Sequence, residues 1–218
     1  MIFVTGDIHG EIERFSDRQF KKLKKTDTLI VLGDFGFFFE KEEKQKAKTL
    51  KKLVKLPFRI LFIDGLSENF EAIASFPDCE YCGAKAKEIA KDKIYYICRG
   101  EIMDIEGHRI LLFGGSDIYD PDIFIPQDMP CQAEFDSCTN RLSMCGYRVD
   151  YILTHIPRGE IMRFMNLTSL VSSETMDYFD RIGRLLTYKK WYFGSTHLDK
   201  YISPLAQSVY TDVKALGE

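Results

Sequence analysis

Short runs of consecutive apolar residues, each closed by a glycine or an aspartate, alternate in the first part of the chain with stretches where apolar residues recur every three or four positions. Ile2-Phe3-Val4 closes at Thr5-Gly6-Asp7, Thr28–Leu32 closes at Gly33-Asp34, and 58–63 closes at Asp64-Gly65. Runs of this length, rich in Val, Ile and Phe and apolar at nearly every position, predict strands buried on both faces. Between the first two, Ile12, Phe15, Phe20 and Leu23 fall at approximately helical intervals and predict a helix within 11–23. A second helix is expected over 41–54, where Leu50, Leu53 and Val54 share one face of a Lys- and Glu-rich stretch stopped by Pro57. Strand, helix, strand, helix, strand at this spacing indicates βαβ units, that is, a parallel sheet with helices on its faces.

Further along, the pattern loosens. Residues 94–98, 102–105 and 109–113 read as strands, with Glu106-Gly107-His108 as a hairpin turn between the last two. Residues 114–145 contain Pro121, Pro126 and Pro130 and little periodicity until Cys131, Cys138 and Cys145, so a long loop with one helix is expected there. The three cysteines are spaced by seven and read as small apolar residues packing from one helix face. A short strand at 151–153 ends at Thr154-His155, a helix covers 174–186, and a strand at 191–193 ends at Gly194. Residues 201–213 predict a terminal hairpin broken at Pro204. No repeat, low-complexity segment or linker interrupts the chain, so 1–218 reads as a single domain.

Composition narrows the picture. Hydrophobic residues at 45% and charged residues at 29% exclude a disordered or collagen-like chain. No apolar run approaches the ~18 residues of a membrane span. The first residues enter a strand pattern with no basic leader or cleavage site, so a cytoplasmic location is expected. The formal charge of −3 gives no electrostatic case for nucleic-acid binding, and the lysines at 21–25 and 41–55 read as solvated faces. Six cysteines in such a setting read as free thiols, and Cys79-x-x-Cys82 lacks the second pair a structural zinc needs.

The chemistry gathers at strand ends. In open α/β sheets, ligands bind just beyond the carboxyl ends of the strands. Those positions hold Asp7-Ile8-His9-Gly10, Gly33-Asp34, Asp64-Gly65, Thr154-His155 and Gly194-Ser195-Thr196-His197. Three of the four histidines are therefore at strand ends, and the fourth, His108, reads as a surface residue in a turn. Carboxylates and neutral imidazoles on one rim suit a divalent cation of the Mn, Fe, Zn or Ni kind. Arg99 and Arg158 are candidate bidentate donors to phosphate oxygens, with Arg158 nearer the rim. Phe35, Phe37, Phe38 and Phe39 read as core packing rather than as pocket walls, and Trp191 as core.

Taken together, Asp7-x-His9-Gly10, Gly33-Asp34, Gly65-x-x-Glu68, His155 and Gly194-x-x-His197 resemble the calcineurin-like metallophosphoesterases. The stretches 5–10, 32–36, 62–70, 150–157 and 191–199 resemble a bacterial branch of that family, and the likeness runs from residue 2 to about 200. It implies an αββα sandwich of two sheets, with a two-metal site on the strand-end loops. It assigns Asp7, His9, Asp34 and His197 to the first metal, with Asp34 bridging to a second that also takes His155. The remaining second-metal ligands of the family, an Asn and a His, fall on Leu66 and Ser195, and the catalytic His falls on Ser67.

These losses concentrate on the second metal. Leu66 offers no donor and a serine hydroxyl is a poor substitute for imidazole, so the two-ion clamp of phosphoester hydrolysis is broken. Loss of a general acid or base alone costs ~10²–10⁴-fold. The leading expectation is thus a metallophosphoesterase-fold protein holding one divalent metal or none, with weak or no hydrolysis. Such a protein would serve as a binding or regulatory module for a phosphate-containing small molecule or a protein partner. An alternative is an active phosphoesterase with one metal or an unusual second site recruited through His155, Asp64 and Glu68, with His155 or Ser67 assisting. A third is a non-metal α/β binding module in which Asp7 and Asp34 merely cap loops.

Overall fold

Alternation within each apolar run sends successive side chains to opposite faces of a sheet, and the computed structural model shows what each face meets. It describes residues 1–39, 42–118, 126–167 and 173–218. In the first sheet β1 (Ile2–Thr5), β2 (Thr28–Leu32), β3 (Arg59–Ile63) and β6 (Ile94–Ile97) lie side by side and parallel. Antiparallel strands finish both edges, β13 (Lys214–Ala215) beside β1, and β5 (Ala84–Ala90) with β4 (Asp78–Tyr81) beyond β6. The second sheet repeats the plan. Its parallel strands are β8 (His108–Phe113), β9 (Tyr151–Thr154), β10 (Lys190–Phe193) and β12 (Ala206–Ser208). Antiparallel β7 (Glu101–Ile105) and β11 (Lys200–Ser203) close its edges.

Ile30 and Leu32 of β2, Leu61 and Ile63 of β3, and Ile110 and Leu112 of β8 join one buried cluster between the two sheets. Their neighbours Leu29, Val31, Ile60 and Phe62 face outward into a second cluster with Leu53 of α1 (Glu43–Val54). On the other side Leu111 and Phe113 meet α3 (Gln132–Met144) and α5 (Glu174–Leu185) through Phe135, Cys138, Phe179 and Ile182. The result is an α/β sandwich of two sheets with helices outside each. Phe35 stacks on Phe62 at 4.4 Å and packs with Phe37 and Phe38 in the core, whereas Phe39 is exposed. Trp191 is buried, donating its indole N–H to Thr154 Oγ1.

Several local expectations change. The segment 11–23 forms two 3₁₀ turns, Ile12–Ser16 and Phe20–Lys22, in place of one α-helix. Its apolar residues Phe15, Phe20 and Leu23 are buried as expected. Asp17 between the turns is extended, and tertiary bonds hold the strap: Arg14 donates to the Tyr210 carbonyl, while Gln19 accepts from the Val213 N–H. Of the cysteine stripe only Cys138 is buried, with Cys131 and Cys145 at the two caps of α3, and all six cysteines are free thiols. Pro121 of the expected loop lies outside the described residues. The β4–β5 hairpin and the short helices α2 (Phe70–Ser75) and α4 (Gly159–Phe164) had no clear signature in the sequence. Among the described residues no helix is long and apolar enough to cross a membrane.

Candidate metal centre

The carboxyl ends of β1, β2 and β3 from one sheet, and of β8, β9 and β10 from the other, open onto a cavity of about 370 Å³. Asp7, His9, Asp34, His155 and His197 all line it, so five strand-end residues far apart in sequence converge. Asp7 is fully buried, and neither of its carboxylate oxygens has a hydrogen-bond partner. Its Oδ2 lies 2.9 Å from His197 Nε2 and 3.8 Å from His9 Nε2. Its Oδ1 lies 3.7 Å from His155 Nδ1. Among the described residues, Asp7, His9 and His197 form a group whose ligand atoms all fall within 4.8 Å of one another.

Asp34 is held differently. Its Oδ1 accepts the backbone N–H groups of Leu66 at 2.5 Å and Ser67 at 2.7 Å. That leaves Oδ2, 3.8 Å from His9 Nε2, facing the Asp7 cluster. His155 sits behind, buried, with Nδ1 3.0 Å from the Leu32 carbonyl. A carbonyl only accepts, so the proton belongs on Nδ1 and Nε2 is left basic, 4.0 Å from Asp34 Oδ1. This is the arrangement by which a ligand imidazole is oriented from its far nitrogen.

The charges are raised against their surroundings. Burial pushes the Asp7 carboxyl above its ordinary pKa, opposed by His155 and reinforced by Asp34. Burial also disfavours the charged form of His155, but Asp34 and Asp7 outweigh it and its pKa is raised. The backbone is strained at the same places: His9, Asp34 and His197 have φ of 51°, 46° and 50°, in the left-handed region that side chains seldom adopt. Gly65 is required by close approach, since a Cβ there would stand 2.2 Å from Asp34 Oδ1. Together, unpartnered buried carboxylate oxygens, two converging imidazoles and a carboxylate facing them fit a divalent cation of borderline hardness.

Other candidates have structural partners. Asp64 is fully buried against Arg99, with Nη2 at 2.6 Å and Nε at 2.8 Å from Oδ2, and accepts the Tyr96 hydroxyl at 3.0 Å. Arg99 also donates to the carbonyls of Gln127 and Met129 and so faces no ligand. Glu68 accepts the N–H of Phe35 at 2.7 Å and of Gly36 at 3.3 Å, clamping the loop after Asp34; burial and the nearby Asp34 push its pKa well up. Arg158 lies over the Trp191 ring, 5.4 Å from its centroid, and beside Glu160 rather than among the residues lining the cavity. Leu66, Ser67 and Ser195 do line it, next to Ser116, Ile118, Ile156, Met162 and Leu167. Those last five come from loops after β8 and β9 and from the α4 region, and no motif pointed to them. Nor did spacing reveal Tyr210, which stacks on His197 at 4.8 Å beneath the Arg14 guanidinium.

No protein-family model matches the chain, and no curated protein matches it. A solved structure, the crystal structure of the protein of unknown function AQ665 from Aquifex aeolicus, is similar at 20% identity with a TM-score of 0.39, covering 85% of this chain and 99% of that one. A likeness at that level carries no argument about family or chemistry. The metallophosphoesterase resemblance therefore rests on the motif residues themselves.

Proposed function

We propose that the chain is a metallophosphoesterase-like protein with a degenerate site, which holds one divalent cation and a phosphate-containing ligand and hydrolyses phosphoesters weakly or not at all. Asp7, His9, Asp34 and His197 would hold the cation, with His155, turned by the Leu32 carbonyl, as a weaker candidate ligand behind them. The observation that carries this reading is fully buried Asp7, whose oxygens accept no hydrogen bond and have the imidazoles of His197, His155 and His9 gathered around them. A buried carboxylate left without donors costs about 1–3 kcal/mol or more, and a cation is the partner that removes the cost. A loop-capping role suits Asp34, which accepts two backbone N–H groups, but Asp7 caps nothing.

The same bonds speak for one ion rather than two. Asp34 Oδ1, the atom turned towards His155, is already engaged by two N–H groups, which leaves Oδ2 for the Asp7 side. A second cation would have His155 Nε2 beside it, with Leu66 and Ser195 in place of further strong donors. Asp64 and Glu68 are committed to Arg99 and to the loop backbone. When bound, the cation supplies polarisation of a phosphoryl oxygen. Ser67 and Ser195 offer neutral hydroxyls, which hold a ligand but do not protonate a leaving group at neutral pH. Assay of bis-(p-nitrophenyl) phosphate with Mn²⁺, Ni²⁺, Fe²⁺ and Zn²⁺ should give little or no turnover. Robust hydrolysis that disappears in Asp7→Ala would replace this reading with that of a working phosphoesterase.

A further inference from the structure

The wall facing the ligand cluster is apolar and uncharged. Leu66, Ile118, Ile156, Met162 and Leu167 line the cavity beside Asp7 and the histidines, and no lysine or arginine does so among the described residues. The arginines beside the rim motifs are engaged elsewhere, Arg14 by the Tyr210 carbonyl and ring, and Arg158 by the Trp191 face and Glu160. The polar groups left to a ligand are hydroxyls. Ser116 Oγ accepts the Ile118 N–H and Thr196 Oγ1 is paired with Ser208, while among the described residues the Ser67 and Ser195 hydroxyls have no such bond.

Charge arithmetic follows from the lining. One divalent cation balances the two carboxylates of Asp7 and Asp34, and imidazoles bind metal in their neutral form. The loaded cavity is then close to neutral. A phosphomonoester brings nearly two negative charges at pH 7, and no cationic side chain in the lining compensates the second. A phosphodiester brings one charge, and its ester substituents can be apolar, so it matches both the hydroxyl donors and the wall. The volume of about 370 Å³ suits a small soluble ligand and lies at the low end of the range for such sites.

We infer that the cavity selects a phosphate diester, a monoanion carrying at least one apolar aryl or alkyl group, over phosphate monoesters, with that group seated on Ile118, Ile156, Met162 and Leu167. This rests on the single-cation reading above and adds the ligand class to it. The experiment is equilibrium binding to the full chain at saturating Mn²⁺, with diphenyl phosphate, dimethyl phosphate and phenyl phosphate as probes and Mn²⁺ uptake read separately. Diphenyl phosphate should bind about tenfold tighter than dimethyl phosphate, the gain expected from burying one ring in part, and tighter than phenyl phosphate by a similar factor. Leu167 is 42% exposed, so Leu167→Lys is compatible with folding. It should keep Mn²⁺ uptake and shift the preference towards phenyl phosphate. Equal or tighter binding of phenyl phosphate by the wild type overturns the charge argument, and equal binding of dimethyl phosphate overturns the apolar seat. Mn²⁺ uptake with either result leaves the single-cation reading standing, whereas absence of Mn²⁺ uptake overturns both.

Discussion

At the scale of single residues, Asp7 is the point where stability and function conflict. It is fully buried at the end of β1 with two oxygens that accept no hydrogen bond, and burial raises its pKa. Without a cation only the neighbouring imidazoles offset the burial of this carboxylate, His197 Nε2 being 2.9 Å from Oδ2. Asp7→Asn removes the charge and should stabilise the metal-free chain by about 1–3 kcal/mol at pH 7, while abolishing cation uptake. Urea unfolding of both forms in chelator, at matched m-values, measures the first effect. A destabilised Asp7→Asn would mean that the His197 contact outweighs the cost of burial. Legibility at this scale was uneven. Asp7, His9, Asp34, His155 and His197 were readable because each follows a strand run directly, and the fold brings strand ends to one rim. Ile118 and Leu167 were not, because loop residues have no period to betray them, and Met162 was not, because α4 is too short to show one. Arg99 gave the opposite lesson: beside Gly100 it resembled an anion donor, and only the buried carboxylate of Asp64 across the sheet shows what it holds.

Elements set the site through the loops that leave them. β1 and β2 are locked together past their ends, where the N–H groups of Ile8 and His9 both reach the Asp34 carbonyl, at 2.9 and 2.8 Å. Glu68, after β3, then clamps the loop beyond Asp34. Glu68→Ala leaves the Phe35 N–H, buried in the structure, without its acceptor and should cost about 2–3 kcal/mol in chemical denaturation. It should also weaken cation binding through Asp34, as loss of an outer partner does, by about 10–100-fold. A variant with unchanged stability and affinity would show that the loop stands without the clamp. The parallel strands were legible as continuous apolar runs, since burial on both faces removes polar positions. The β4–β5 hairpin was not. Its buried face is made of Ala84 and Ala86 between exposed or half-buried lysines, too small a hydrophobic signal to separate from solvated chain. The strap at 11–23 kept the apolar spacing of a helix, but its bonds to Tyr210 and Val213 favour two short turns.

On the scale of the whole molecule, two similar half-sandwiches meet so that both sheets deliver side chains to one end, and the other end holds charged groups of a different kind. There Asp150, ahead of β9, pairs with Lys189 at 2.8 Å and accepts the Arg109 N–H at 2.8 Å. The Lys189 bond, followed by the backbone donor, holds its carboxyl below the ordinary value. A carboxyl depressed in the fold contributes stability above its unfolded pKa near 4, and that contribution is lost as pH falls through the folded value. Asp150→Asn should cost about 0.5–1 kcal/mol at pH 7, partial exposure limiting the figure, and progressively less as pH falls below 4 and the carboxyl takes up its proton in the fold. Thermal unfolding of both proteins across that range checks the sign. A constant difference at all pH values would assign the loss to packing instead.

A cation at this site would bind only the assembled sandwich, because the candidate ligands meet only when both sheets are in place: Asp7, His9 and Asp34 come from one, His155 and His197 from the other. The most direct test is elemental analysis of the full chain after loading with Mn²⁺ or Zn²⁺ and dialysis. One ion per chain, falling to none in Asp7→Ala with the fold retained, is the expected result. Two ions per chain, or none in the wild type, would contradict the single-cation site.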